Sequence, residues 1–176
     1  MAKSKKECWW SQQDQSREEG KQNYAQYGCL NDGGREKAGY KGDANDCVVR
    51  AISIATEISY QEVYDQLNVL AKKERRGKRK KTVSNSRLGV YRSTYERFLK
   101  SIGWAWQPTM KIGQGCKVHL RGDELPKGRL VVSVSRHLTA VVDGVIHDTH
   151  DPSRFGERCV YGYYYKPNKI DCDENN

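Results

Sequence analysis

Val48, Ala51, Ile52, Ala55 and Ile58 recur at helical spacing, which predicts a helix buried on one broad face. Asp46 stands just ahead of it, where its carboxylate is expected to accept from backbone N–H groups two or three residues on. Cys47 then takes the first helical position. Ser59-Tyr60-Gln61-Glu62 forms a capping box, and Val63, Leu67 and Leu70 follow, so a second helix is expected over about 60–73. A third apolar stripe runs through Val90, Tyr91, Thr94, Phe98 and Leu99. It fits a helix over about 87–101 or one starting at the second box, Ser93-Thr94-Tyr95-Glu96; Gly103 ends it. Beyond Pro108 the period shortens to two. Strands are expected over 116–120, 130–135, 137–142, 145–149 and 160–165, with a turn at 124–128. Helices first and an antiparallel sheet later make an α+β pattern, whose functional site belongs where helix and sheet meet.

One pair of strands can be registered on paper. Asp143-Gly144 is a two-residue turn signal, since both positions tolerate positive φ. Counting outward pairs Val142 with Val145, Val141 with Ile146, Ala140 with His147, Thr139 with Asp148 and His137 with His150. Because side chains alternate faces, His137 and Asp148 share a face as diagonal neighbours, while His147 points the other way. Asp148 is therefore preferred over Asp151 as the partner of His137, and His150 is a candidate wall residue.

These elements supply a thiol, an imidazole and a carboxylate, the parts of a cysteine nucleophile system. Unpaired amides and the positive end of the helix favour a thiolate at Cys47. A structural cysteine in the first turn of a core helix is the alternative for Cys47 alone, and a hairpin-end turn residue before Pro152 is the alternative for Asp148 alone.

The Asp-Cys step opening a helix, followed by a histidine-led strand pair, resembles the papain-like cysteine peptidase and amidase superfamily. The likeness is closest to its compact bacterial or phage-type members, cell-wall amidases and leader-cleaving peptidases of exporters. It covers about 40–60 and 128–165. It implies a papain-like α+β fold with N-terminal helices on a C-terminal antiparallel sheet. In that superfamily the cysteine attacks a carbonyl, the histidine is its base and an acid or amide orients the histidine. Those roles pass to Cys47, His137 and Asp148. The superfamily commonly places a glutamine ahead of the nucleophile to donate to the oxyanion, and residues 40–46 contain none. The Cys47 N–H is one donor; Asn45 and Lys41 are the candidates for a second.

The 176 residues suffice for one hydrophobic core. Residues 1–32 read as a mostly flexible polar arm, 33–168 as a single catalytic domain, and 169–176 as a polar tail. No apolar run is long enough to cross a membrane, and the first residues lack the apolar core of a secretion signal. The six cysteines show no paired C-x-x-C spacing. They are expected to be free thiols in a reducing cytoplasm. No cofactor or bound metal is expected, although His147, His150 and Asp151 could hold a divalent ion in a metal-dependent hydrolase.

The net charge of +9 is concentrated. Lys72, Lys73, Arg75, Arg76, Lys78, Arg79, Lys80 and Lys81 are opposed only by Glu74, and Gly77 favours a loop over 72–81. Such a loop can contact phosphates or an acidic protein, or keep the chain in solution as a solvated insertion. Trp104 and Trp106 are expected in the core or as a lid, and are candidates for the pocket wall. The expected function is a thiol hydrolase cleaving peptide, isopeptide or related amide bonds in a protein or peptide substrate, with the basic loop pointing to an acidic one. The alternative is an inactive hydrolase-like fold acting as a basic nucleic-acid-binding or protein-targeting adaptor.

Overall fold

The computed structural model describes residues 28–75, 82–111 and 113–167. Expectations for residues 1–27, for Arg76, Lys78, Arg79, Lys80 and Lys81, and for the tail from 168 lie outside the described residues. The elements are β1 (Gly28–Leu30), α1 (Cys47–Thr56), α2 (Tyr60–Ala71), α3 (Arg92–Ser101), β2 (Ala105–Pro108), β3 (Arg129–Val134), β4 (His137–Val142), β5 (Val145–Asp148) and β6 (Val160–Tyr165). The three helices pack against an open six-stranded sheet of order β1-β5-β4-β3-β6-β2.

The sheet is mixed, not wholly antiparallel, because β1 pairs parallel with β5. That strand falls inside the stretch expected to be an unstructured arm, so Gly28–Leu30 belongs to the folded domain. The second unforeseen strand is β2, an edge strand ending at Pro108, where a missing N–H costs the ladder little.

Both faces of the central strands are covered. Val131, Leu138 and Ala140 pack with Val49, Ile52, Val63, Leu67 and Leu99 on the helical side. Leu130, Val132, Val134, Val141 and Ile146 form the opposite core with Leu120 and Leu125. The segment expected as a strand over 116–120 supplies that second layer instead. It contributes only one bridge, His119 to Cys159, and is held by Leu120 N–H to Arg158 O (2.8 Å) and Val160 N–H to Val118 O (2.9 Å). Cys116 and Cys159 form a disulfide with Cα atoms 5.8 Å apart, which departs from the expectation of free thiols. The cysteines therefore no longer argue for a reducing compartment. No helix among the described residues is long and apolar enough to cross a membrane.

Helix α3 starts one residue ahead of the second box and not near 87. Asn85 and Gly89 exchange both backbone hydrogen bonds (2.9 and 2.8 Å), and Tyr91 N–H donates to Ser84 Oγ (2.9 Å). Val90 and Tyr91 therefore lie in this turn and its exit, and the helix begins at Arg92.

Candidate active site

The hairpin places the imidazole and the carboxylate. β4 and β5 pair Val142 with Val145, Val141 with Ile146 and Ala140 with His147, the register counted from the turn. Asp143 (φ 51°) and Gly144 (φ 86°) both occupy the left-handed region that such a turn requires. His137 Nε2 lies 2.7 Å from Asp148 Oδ2. Asp148 is 4% exposed and also accepts from the Thr149 N–H at 2.7 Å.

The helix places the thiol. α1 begins at Cys47, with Val48, Val49, Ala51 and Ile52 buried behind it. The His137 side chain and the Leu138 backbone lie close enough to Cys47 to act on its thiol. With Nε2 occupied by Asp148, Nδ1 is the nitrogen left for sulfur. The His137–Asp148 pair at the end of β5 thus acts on the thiol at the start of α1.

The electrostatics follow from these contacts. Burial works against ionising Cys47, but the His137 hydrogen bond and charge, the Leu138 N–H and Arg50 outweigh it and hold the thiol below its ordinary value. Burial would also lower His137; its bonds to Asp148 and Cys47 and their negative charges reverse this and raise it to about 9. Desolvation opposes the charge on Asp148, yet His137 and the Thr149 N–H keep it below the usual carboxylate range. The arrangement favours thiolate beside imidazolium.

Asp46 does not cap α1. Its backbone (φ −97°, ψ 21°) is outside the extended region typical of an N-cap, and its side chain makes no capping bond. Charged and phenolic partners hold the carboxylate instead. Arg35 Nε lies 3.0 Å away, Arg50 Nε 3.4 Å, and the Tyr60 hydroxyl donates at 2.6 Å, leaving Asp46 1% exposed. Charge-assisted bonds of this kind are stronger than a neutral amide contact. The first amides of α1, including that of Cys47, have no intrahelical acceptor and keep their donor capacity.

Arg50 was not singled out from the sequence. Besides Asp46, it reaches Asp148 (Nη2 to Oδ1, 3.9 Å) and donates from Nη1 to Thr149 Oγ1 at 2.6 Å. Its signal was available: a cation inside an apolar helical run, four residues after a carboxylate. Tyr95 is a second omission. Burial and the charges of Glu96 and Cys47 outweigh Arg92 and Ser133 and push its hydroxyl up to about 12, so it remains a neutral phenol.

The remaining candidates separate. His150 stands beside His137 with ring centroids 5.2 Å apart, and its Nδ1 is 3.9 Å from Asp148 Oδ1. Asn45 is exposed, and its backbone N–H is used by Arg87 O (2.8 Å). Lys41 is exposed, and its carbonyl accepts from Arg87 Nη2 (3.1 Å). No hydrogen bond among the described residues joins either side chain to Cys47. Trp104 is buried in the core and lines a cavity with Ala55 and Thr56. Those residues are eight and nine positions along α1 from Cys47, about 12–14 Å at helical rise. Trp106 lies on β2, three strands from β4, against Tyr164 (4.6 Å) and under Arg92 (4.4 Å). Neither tryptophan lines the cavity beside His137.

His147 occupies the opposite sheet face from Asp148, with Nδ1 3.3 Å from Asn31 Nδ2, while Asp151 Oδ1 accepts from Ser153 N–H (2.7 Å) and Oγ (2.6 Å). His147, His150 and Asp151 do not converge, and no group of three metal-ligating side chains occurs among the described residues. Lys72, Lys73 and Arg75 are exposed just after α2. No family model, curated protein or solved structure matches this chain.

Proposed function

We propose that this chain is a cysteine-nucleophile hydrolase of peptide, isopeptide or related amide bonds, of papain-like type. What supports the reading is the His137–Asp148 pair at 2.7 Å, with His137 acting on the Cys47 thiol so that the thiol is depressed and the imidazole raised. In this mechanism Cys47 Sγ adds to the carbonyl carbon, and the resulting oxyanion accepts from the Cys47 N–H at the helix start. His137 gives its Nδ1 proton to the leaving amine, and the C–N bond breaks to leave a thioester. His137 then takes a proton from water as the water oxygen attacks the thioester, and returns it to the departing thiol. Asp148 keeps Nε2–H engaged and the ring in place throughout.

The test is labelling with a thiol-directed activity probe. Wild type should react at Cys47, Cys47→Ala should lose that label, and His137→Ala should slow it on the order of a hundredfold near neutral pH. Equal labelling of the Cys47→Ala protein, or indifference to His137→Ala, would reject the proposal.

One observation favours the adaptor as a second reading: residues 40–46 hold no glutamine to serve as the second oxyanion donor, while Lys72, Lys73 and Arg75 are exposed. Binding to duplex DNA and single-stranded RNA with a steep salt dependence, lost on neutralising Lys78, Arg79, Lys80 and Lys81, would support it. A flat salt dependence would remove it.

A further inference from the structure

A cavity of about 480 Å³ opens beside His137, lined by Ser135, Arg136, His137, His150, Arg154 and Arg158. Its wall contains three guanidiniums, an imidazole raised to about 9, and no carboxylate. Of the nearby acids, Asp148 pairs with His137 and lies 3.9 Å from His150 Nδ1, Asp151 accepts from Ser153, and both act on Arg158 only through charge. No salt bridge among the described residues involves Arg136, Arg154 or Arg158.

The backbone holds this wall in place. Arg136 (φ 56°) and Arg154 (φ 54°) both sit in the left-handed region, a conformation that non-glycine residues adopt at a cost. Arg158 ties the two loops together, donating from Nη1 to Pro152 O at 3.0 Å and from Nη2 to Ser135 O. Its Nε is buried without an acceptor. Burial and the Arg154 charge work against the Arg158 cation and outweigh the pull of Asp148 and Asp151, and an anion in the cavity would relieve that repulsion. Arginine also presents the donor geometry that matches a carboxylate.

Resting on the hydrolase reading above, we propose that this cavity is the specificity subsite and takes the carboxylate of an acidic peptide side chain, so that the preferred substrate carries Glu or Asp next to, or one residue away from, the bond attacked by Cys47. The reach is set by the imidazole, which borders the cavity and acts on the thiol; one extended residue spans about 3.3–3.6 Å. Acidic protein segments are thereby drawn to the thiol by charge and held by the arginines.

Two haloacetyl peptides test this, bromoacetyl-Gly-Glu-amide and bromoacetyl-Gly-Gln-amide, which alkylate a thiol and differ by one charge at nearly equal size. Their rates of reaction with Cys47 are compared by mass spectrometry of the full chain at low and high salt. The Glu peptide should react about tenfold faster at low salt, and the advantage should shrink as salt rises. In Arg136→Gln/Arg154→Gln the ratio should fall towards one. In Lys100→Gln/Lys111→Gln, which removes the same charge from exposed positions elsewhere, it should persist.

Equal rates for the two peptides, with Cys47 still labelled selectively, would overturn the subsite and leave the hydrolase reading standing. Loss of the preference in the Lys100→Gln/Lys111→Gln control would reduce it to bulk charge and overturn the subsite as well. No selectivity for Cys47 over Cys29 with either peptide would overturn both readings. Protection of Cys47 by a twelve-nucleotide single strand, but not by a Glu-containing peptide amide, would overturn the peptide assignment in favour of nucleic acid.

Discussion

Arg50 ties the first turn of α1 to the end of β5, with Nη2 3.9 Å from Asp148 Oδ1 and Nε 3.4 Å from Asp46 Oδ1. Both carboxylates are buried, so the guanidinium offsets two desolvated charges while bracing the element that carries Cys47 against the one that carries Asp148. Arg50→Gln should destabilise the fold by about 2–4 kcal/mol, because removing one partner leaves buried charge behind. Arg50→Lys should recover part of that loss but not the bond to Thr149. Urea unfolding of the two variants checks this; a loss below about 0.5 kcal/mol for Arg50→Gln would show the bridge to be energetically idle.

The pH response follows from the same cluster. Cys47 and Asp148 are depressed, so their contributions to stability are present above their unfolded values and are lost as pH falls through the folded ones. His137 is raised to about 9; its contribution is complete below its unfolded value near 6.5 and is lost as pH rises through about 9. Thiolate and imidazolium therefore coexist from the lowered Cys47 value up to about 9. Amide hydrolysis should decline above pH 9 as the proton donor disappears. Iodoacetamide alkylation of wild type should already be substantial at neutral pH. In His137→Ala, burial is left without its opposing imidazole, so the alkylation curve should move to higher pH. An unmoved curve would mean that His137 does not set the thiol.

Asp46 offers a test of the structural support beneath the site. Tyr60→Phe removes the 2.6 Å hydroxyl bond to a carboxylate that is 1% exposed. Arg35 and Arg50 remain, so the expected loss is about 1–3 kcal/mol, the scale of a hydrogen bond to a charged group. Thermal unfolding measures it. The Cys47 reaction rate should change far less than in His137→Ala, since Tyr60 does not contact the thiol–imidazole pair in this scheme.

The parts of this arrangement that were legible in the sequence are those set by local chemistry. Asp143-Gly144 admits one tight turn, and its register alone brings Asp148 diagonal to His137 and sends His147 to the other face. The apolar spacing after Cys47 likewise marks the start of α1. What could not be read depends on distant partners. Asp46 has the composition of a cap, but Arg35 and Tyr60 arrive from other elements and take its carboxylate. Gly28–Leu30 becomes a strand only because β5 presents an edge to it. The 116–120 segment alternates like a strand, yet its apolar side chains cover a sheet face instead of extending the ladder. The arginine wall was hidden for the same reason, since Arg136 and Arg154 come from two loops with no shared motif.

The Cys116–Cys159 bridge makes the last quantitative expectation. The two residues are separated by 43 positions, and their link anchors the 116–125 layer over the core formed by Leu130, Val132, Val141 and Ile146. In the chain-entropy account, closing a loop of that size destabilises the unfolded state by about 4 kcal/mol. Reduction, or Cys116→Ser, should therefore lower the unfolding free energy by about 2–4 kcal/mol. The Cys47–His137–Asp148 contacts lie on other elements, so the folded, reduced protein should keep its Cys47 reactivity. Parallel unfolding curves and alkylation rates with and without dithiothreitol, removed before alkylation, separate the two effects. If reactivity fell along with stability while the protein remained folded, the second layer would be shaping the site as well as covering the sheet.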